Sequence, residues 1–215
     1  MLWKISNAYG LGVVVVVIVA LVAGTIAWRF AFFYAPFAWT GEPARLAQAL
    51  DLHEGMQIAD IGAGSGELAV AMAAFVGRTG QVYATELAPE RRAAIERRVC
   101  RASIPNVNLV AATETETRLP EKCCDAIYMR AVFHHIAEQS TFAADVALAL
   151  RPGARVGVID FAPGTLWFHG PDHGVEPDSI LAAFRANGFR LRERVDDWGG
   201  GMFLLVFDRN DEPDR

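Results

Sequence analysis

The chain is short of cysteine. Its 215 residues include three, Cys100, Cys123 and Cys124. An odd count without paired spacing excludes a disulfide framework and a zinc motif. The adjacent pair Cys123-Cys124 could bridge only with strain, so reduced, buried thiols are expected. Basic charge is also scarce. The 20 Lys and Arg are outnumbered by 25 Asp and Glu, for a net charge of −5. No basic stripe runs along the chain, which excludes nucleic acid as a partner. Internal repeats and low-complexity tracts are absent too, so the chain is neither a solenoid nor a disordered tether.

One further absence is positional. No charged residue stands between Lys4 and Arg29, and the run Val13–Val17 lies inside an apolar core from Leu11 to Ala23. This block concentrates much of the 53% hydrophobic content. About 24 residues suffice to cross a hydrocarbon layer of about 30 Å as a helix. Trp3, Tyr9, Trp28, Tyr34 and Trp39 flank the stretch as interfacial aromatics do, and Phe30, Phe32 and Phe33 extend it to Pro36. Its uniform apolarity argues against a core helix with one buried face. The expectation is a transmembrane or signal-anchor segment over residues 1–35, touching the membrane through residues 5–33. A cleaved signal peptide is the alternative, with Lys4 as its basic start and Thr25-Ile26-Ala27 as a cleavage site; the domain would then be exported. Lys4 and Arg29 flank the two ends about equally, so charge does not set the orientation.

A domain spanning residues 36–215 follows, with Gly41-Glu42-Pro43 read as the linker into it. Strands are expected at 57–61, 81–85, 108–112, 126–129, 155–161, 191–195 and 202–207. Helices are expected at 67–76, from Pro89 to about Cys100, at 140–150 and at 179–187, the last capped by Gly188. Arg91, Arg92, Arg97 and Arg98 read as a solvated helix face. Strands alternating with helices predict an α/β, Rossmann-like, doubly wound and mostly parallel sheet of seven strands. The final strand pair, joined by Gly199-Gly200-Gly201 without a helix, predicts an antiparallel edge.

The chemistry concentrates at Asp60-Ile61-Gly62-Ala63-Gly64-Ser65-Gly66, which follows an apolar strand and opens a helix. Glycines there let a ligand approach the backbone, at the strand ends where open parallel sheets bind ligands. The next strand ends in Glu86, about 20 residues on, placed to accept the ribose hydroxyls of an adenosine. The third glycine comes one position early for a dinucleotide fingerprint, and Glu67 replaces its last glycine. A carboxylate there opposes a pyrophosphate. An adenosine ligand with a cationic tail and no phosphate, such as S-adenosylmethionine, fits an acidic loop.

These residues resemble the first motif of class I S-adenosylmethionine-dependent methyltransferases, with Glu86 as the ribose-binding acid. Leu150-Arg151-Pro152-Gly153-Ala154 resembles the stretch before the family's fifth strand, with Ala154 in place of its second glycine. Val132-Phe133-His134-His135-Ile136 resembles the V-L-H-H-L of small-molecule members, including quinone-biosynthesis methyltransferases. The resemblance covers roughly residues 46–207. It implies S-adenosylmethionine as cofactor, with Asp60 near the methionine ammonium and Gly62, Ala63, Gly64 and Gly66 along the methionine and ribose. It places Glu86 on the ribose, Leu87 beside the adenine, Glu114 toward the adenine amino group and Arg130 at the methyl end. Many relatives carry an acid or a small polar residue near the position of Ala131, which is apolar here.

Methyl transfer is an in-line displacement that asks first for alignment; a base is needed only if the acceptor must lose a proton. His134 and His135 are the candidate catalytic residues, since histidine titrates near neutrality. Tyr128, His169, Asp172 and His173 are weaker ones, and the last three read as a hydrogen-bonded loop rather than a metal site. The short path from the apolar segment into the domain points to a small, apolar or lipid-like acceptor. A donor made in the cytosol points to a single-pass protein whose domain faces the cytoplasm. A nicotinamide-dependent oxidoreductase, a protein methyltransferase and a non-catalytic, membrane-tethered binding module remain open alternatives.

Overall fold

The computed structural model describes residues 41–165 and 174–210. The segment 1–35, and with it the expected membrane helix, lies outside the described residues, as do His169, Asp172 and His173. Among the described residues no helix is long and apolar enough to cross a membrane.

Seven strands form one sheet in the order β3-β2-β1-β4-β5-β7-β6. They are β1 (Gln57–Ile61), β2 (Gln81–Glu86), β3 (Val107–Ala111), β4 (Cys124–Arg130), β5 (Leu150–Phe161), β6 (Phe189–Gly199) and β7 (Met202–Arg209). The first five run parallel, and β7 lies antiparallel between β5 and β6. The helices are α1 (Glu42–Ala49), α2 (Glu67–Val76), α3 (Pro89–Ala102), α4 (Gln139–Ala149) and α5 (Pro177–Arg185). The strand order turns around between β1 and β4, which opens a crevice at their carboxyl ends.

One face of the sheet packs Ala59, Ile61, Ile127, Met129, Val156 and Val158 against Phe142 and Val146 of α4 and Phe184 of α5. Phe184 stacks on Phe207, with ring centroids 4.6 Å apart. On the other face Leu46 and Leu50 of α1 lie against Gly157, where a Cβ would come within 3.3 Å of Leu50. Residues Met202–Phe207 of β7 are all buried, as expected of an inner strand covered on both faces.

The expected α/β architecture is present, with local corrections. Gly41-Glu42-Pro43 is not a linker: Pro43 lies in the first turn of α1, where its missing N–H costs nothing. Strand β5 begins at Leu150, so Arg151-Pro152-Gly153 lies in a register irregularity against β4. Helix α5 ends at Arg185, with Ala186 as its cap. Gly188 instead takes the positive φ of the following turn. Cys123 and Cys124 are buried free thiols, whereas Cys100 is exposed.

Candidate cofactor and acceptor site

Strand β1 delivers Asp60 and Ile61 into the glycine loop, and α2 leaves it at Glu67. Gly62, Gly64 and Gly66 all have positive φ. Gly62 is required by more than its backbone: a Cβ there would stand 2.5 Å from Val132 Cγ2. The loop is thereby packed on the segment that leaves β4. At Gly64 a Cβ would meet nothing within 4 Å, so the loop backbone is open on that side to a ligand.

Glu86, at the end of β2, is buried and sits beside this opening. Its carboxylate accepts from the Gly64 amide at 2.9 Å and from the Ala88 amide at 3.0 Å. Two backbone donors thus fix the acid, and lone pairs remain for further donors. Leu87, next in sequence, is 48% exposed, an apolar surface beside the acid.

Asp60 is 2% exposed, and its Oδ2 has no hydrogen-bond partner among the described residues. The Tyr128 hydroxyl, on the residue paired with Asp60 across β1 and β4, is likewise unpartnered. Burial pushes the Asp60 carboxyl up to about 8. The charge of Glu86 adds to this, and the Tyr128 hydroxyl and Arg130 oppose it. Burial and then Asp60 drive the Tyr128 phenol upward. A buried carboxyl oxygen without a partner is costly and fits a cationic ligand group. With Glu86 for a ribose and Asp60 for an ammonium, the residues present suit S-adenosylmethionine.

The arginines of α3 are more than a solvated face. Arg98 donates to the Ser65 carbonyl at 2.9 Å and to Glu67 at 2.7 Å. Arg92 donates to the Glu86 carbonyl at 3.2 Å. Arg98 thus braces the loop and compensates the charge of Glu67, and Arg92 holds the end of β2. The fingerprint reading saw Glu67 as a charge aimed at a ligand; it is instead half of an ion pair.

Arg130, expected at the methyl end, pairs through Nε with Glu42 at 3.0 Å. Glu42, which is buried, also accepts from Trp198 Nε1 at 2.9 Å. Arg45 lies 4.0 Å over the Trp198 ring and donates to its carbonyl. Helix α1 is thereby tied to the ends of β4 and β6. Glu114 is exposed in the turn after β3.

Beyond Arg130 the chain turns sharply. Ala131 adopts φ 55°, a left-handed conformation that costs a non-glycine residue about 1 kcal/mol or more. Its amide donates to the Ile159 carbonyl at 2.8 Å. Residues Phe133–His135 form a short 3₁₀ turn. The His134 and His135 rings meet at a tilt of 47°, with centroids 3.9 Å apart. His134 Nδ1 lies 2.6 Å from Asp160 Oδ1, its backbone amide donates to Asp160 Oδ2 at 3.1 Å, and the Asp160 side chain is fully buried.

Asp160, Glu42, Trp198 and the bracing role of Arg98 were not anticipated. An isolated Asp near a strand end and a Glu before a proline carry no pattern of their own. Among the described residues no group of three or more His, Cys, Asp or Glu could hold a metal ion.

Comparison with known proteins places this geometry. Residues 59–158 match a family described as "Methyltransferase domain". A protein-L-isoaspartate O-methyltransferase of Methanothrix thermoacetophila is 33% identical over 113 residues, covering 53% of this chain and 51% of that protein. The chain thus spans about half the length of this curated relative. Among solved structures, a SAM-dependent methyltransferase from Aquifex aeolicus has TM-score 0.69 and 23% identity over 77% of this chain and 88% of its own. Geranyl diphosphate C-methyltransferase from Streptomyces coelicolor A3(2), solved with S-adenosyl-L-homocysteine, has TM-score 0.67 and 14% identity, covering 79% of each chain. The match over residues 59–158 and the shared fold agree with the cradle, whose Asp60 and Glu86 suit S-adenosylmethionine.

Proposed function

We infer that this protein transfers a methyl group from S-adenosylmethionine to a small, apolar or membrane-associated acceptor at the carboxyl ends of β4 and β5. The observation that carries the reading is the buried Asp60 carboxyl, whose Oδ2 lacks a hydrogen-bond partner among the described residues, beside a left-handed glycine loop, with Glu86 fixed on the Gly64 amide. When bound, S-adenosylmethionine supplies a methyl carbon on a positively charged sulfur. Asp60 faces the ammonium and Glu86 the ribose, and the turn 131–135 forms the acceptor side. The apolar stretch over residues 5–33 supports a membrane-associated acceptor and a single-pass anchor with the domain on the cytoplasmic side, where the donor is made. Export after cleavage is the alternative. An acceptor of protein nature is the second reading, favoured by the 33% identity to a methyltransferase that modifies protein L-isoaspartate.

The test is calorimetric titration of the full chain with S-adenosylmethionine and S-adenosylhomocysteine, repeated on Glu86→Ala. Loss of a charged acceptor should weaken binding by about 1.5–3 kcal/mol, roughly 10- to 150-fold. No binding by a folded chain refutes the reading. Methyl-labelled donor added to a membrane extract then separates the acceptors: label in the lipid fraction supports the first reading, and label in protein the second.

A further inference from the structure

We propose that Cys123 and Cys124 form a modifiable dithiol, which a small peroxide closes to a bridge and a dithiol reductant reopens. The pair lies at the amino end of β4, across the sheet from the cofactor loop. The inference therefore stands apart from the methyltransferase reading.

The two sulfurs are 2.9 Å apart, and both side chains are buried in the apolar core. Neighbours along a regular strand point to opposite faces of the sheet, which keeps their sulfurs apart. This pair stands where the pleat is only beginning. Cys123 precedes β4, Cys124 is its first residue, and the register against β5 slips between Cys124 and Ala126. Just before the pair, Lys122 takes φ 51°. The chain thus turns both thiols inward onto each other. A covalent bridge needs the sulfurs at about 2.05 Å, a further approach of less than about 1 Å.

The thiols are not equivalent. The hydrogen bond between them holds the Cys123 thiol below its ordinary value, whereas the same bond and burial hold Cys124 above. Cys123 is also the more accessible, at 6% exposed against 0%. The thiolate is the attacking form, so Cys123 reacts first, and so slight an opening selects hydrogen peroxide over a bulky disulfide. The Cys123 sulfur bonds to one peroxide oxygen as the O–O bond breaks, giving a sulfenic acid and hydroxide. The hydroxide takes up the proton that Cys123 released. The Cys124 sulfur then bonds to the Cys123 sulfur as the S–O bond breaks, and its thiol proton leaves with that oxygen as water. Two thiols and one peroxide become one bridge and two waters.

The surroundings make the bridge reversible. Cys124 pairs with Leu150 of β5. Asp125, the next residue, accepts from the Gln57 amide at 2.8 Å and from Arg151 at 2.7 Å, and Arg151 also donates to the Lys122 carbonyl at 3.1 Å. The starts of β1, β4 and β5 are thus tied together around residues 122–125. A ring between adjacent residues turns the peptide that joins them and works against these contacts. It closes no length of chain, so it gains little from restraining the unfolded state. Such a bridge is strained, and a strained bridge is readily reduced.

The test treats the full chain with hydrogen peroxide in mild detergent, on a Cys100→Ser background that removes the exposed thiol. After denaturation, an alkylating reagent should label neither cysteine of the tryptic peptide 123–130. Dithiothreitol added before the reagent should restore both labels. The chain should stay monomeric on a non-reducing gel, and its urea midpoint should fall by about 1 M and recover on reduction. With Cys123→Ser added, Cys124 should keep its label; if that variant fails to fold, the intact pair decides alone. The proposal is overturned by labels that persist after peroxide, by labels that dithiothreitol does not restore, or by a crosslink between two chains. A bridge that leaves the urea midpoint unchanged, or loss of the Cys124 label in a folded Cys123→Ser chain, overturns it equally.

Discussion

Replacing Asp60 by asparagine should stabilise the cofactor-free protein and do so more at high pH. Burial holds the Asp60 carboxyl up to about 8, against 3.8 for an ordinary aspartate. Between those values the folded protein binds a proton that the unfolded chain does not. Stability therefore falls as pH rises, by about 1.36 kcal/mol per unit. The folded value is raised, so the favourable contribution is full below about 4 and lost by about 8. Over this window the loss is on the order of 5 kcal/mol, large beside a typical net stability of 5–15 kcal/mol. Asparagine is nearly isosteric and never ionises. In urea titrations of the full chain in mild detergent, Asp60→Asn should gain about 4 kcal/mol more over wild type at pH 8 than at pH 5. It should also bind S-adenosylmethionine at least 10-fold more weakly. A gain that is the same at both pH values, or a loss of stability at pH 8, would refute the assignment of Asp60 as a strained acid awaiting a cation.

Three further outcomes are expected. Near pH 7 the cofactor's ammonium should draw Asp60 into its ionised form. Binding enthalpies measured in buffers of different ionisation heat should then report release of close to one proton by wild type and none by Asp60→Asn. Gly62→Ala combines a φ of 67° with a Cβ 2.5 Å from Val132 Cγ2. It should cost about 2–4 kcal/mol in chemical denaturation and weaken cofactor binding. Glu42→Ala leaves Arg130 without its carboxylate and Trp198 Nε1 without its acceptor. Thermal unfolding should show a loss of about 3 kcal/mol, and Glu42→Gln, which keeps an acceptor for Trp198, should lose less.

Elements whose signal is local were readable from the chain alone. β1 and α2 were bounded to the residue because an apolar run, three glycines and an alanine-rich helix follow each other without interruption. Asp60 and Glu86 stand out in the sequence because acid, glycine loop and second acid occur in fixed order, and the structure sets both beside the glycine loop. Contacts that join distant segments left no such trace. Asp160 reaches His134 across 26 positions, and Glu42 reaches Trp198 across 156. Such partners exist only once the sheet brings the ends of β4, β5 and β6 together. The arginines of α3 misled for a related reason. Spacing set them on an exposed face, but it could not show that the cofactor loop lies within reach of that face. Helix α1 was hidden by its own start, where Gly41 and Pro43 mimic a linker.

The place of β7 in the sheet bears on how the chain can be made. The last of the described strands is an inner strand, hydrogen-bonded to β5 along residues 202–208 and to β6 on its other side. During synthesis β5 and β6 therefore emerge without the partner that separates them. Until about residue 209 has left the ribosome, both present open edges, and the apolar side chains of β5 lack part of their cover. Closure of the sheet thus waits for β7 to emerge. A stop codon within β7 would then remove the keystone of the sheet rather than trim its edge, and would leave a chain that has to be held or destroyed.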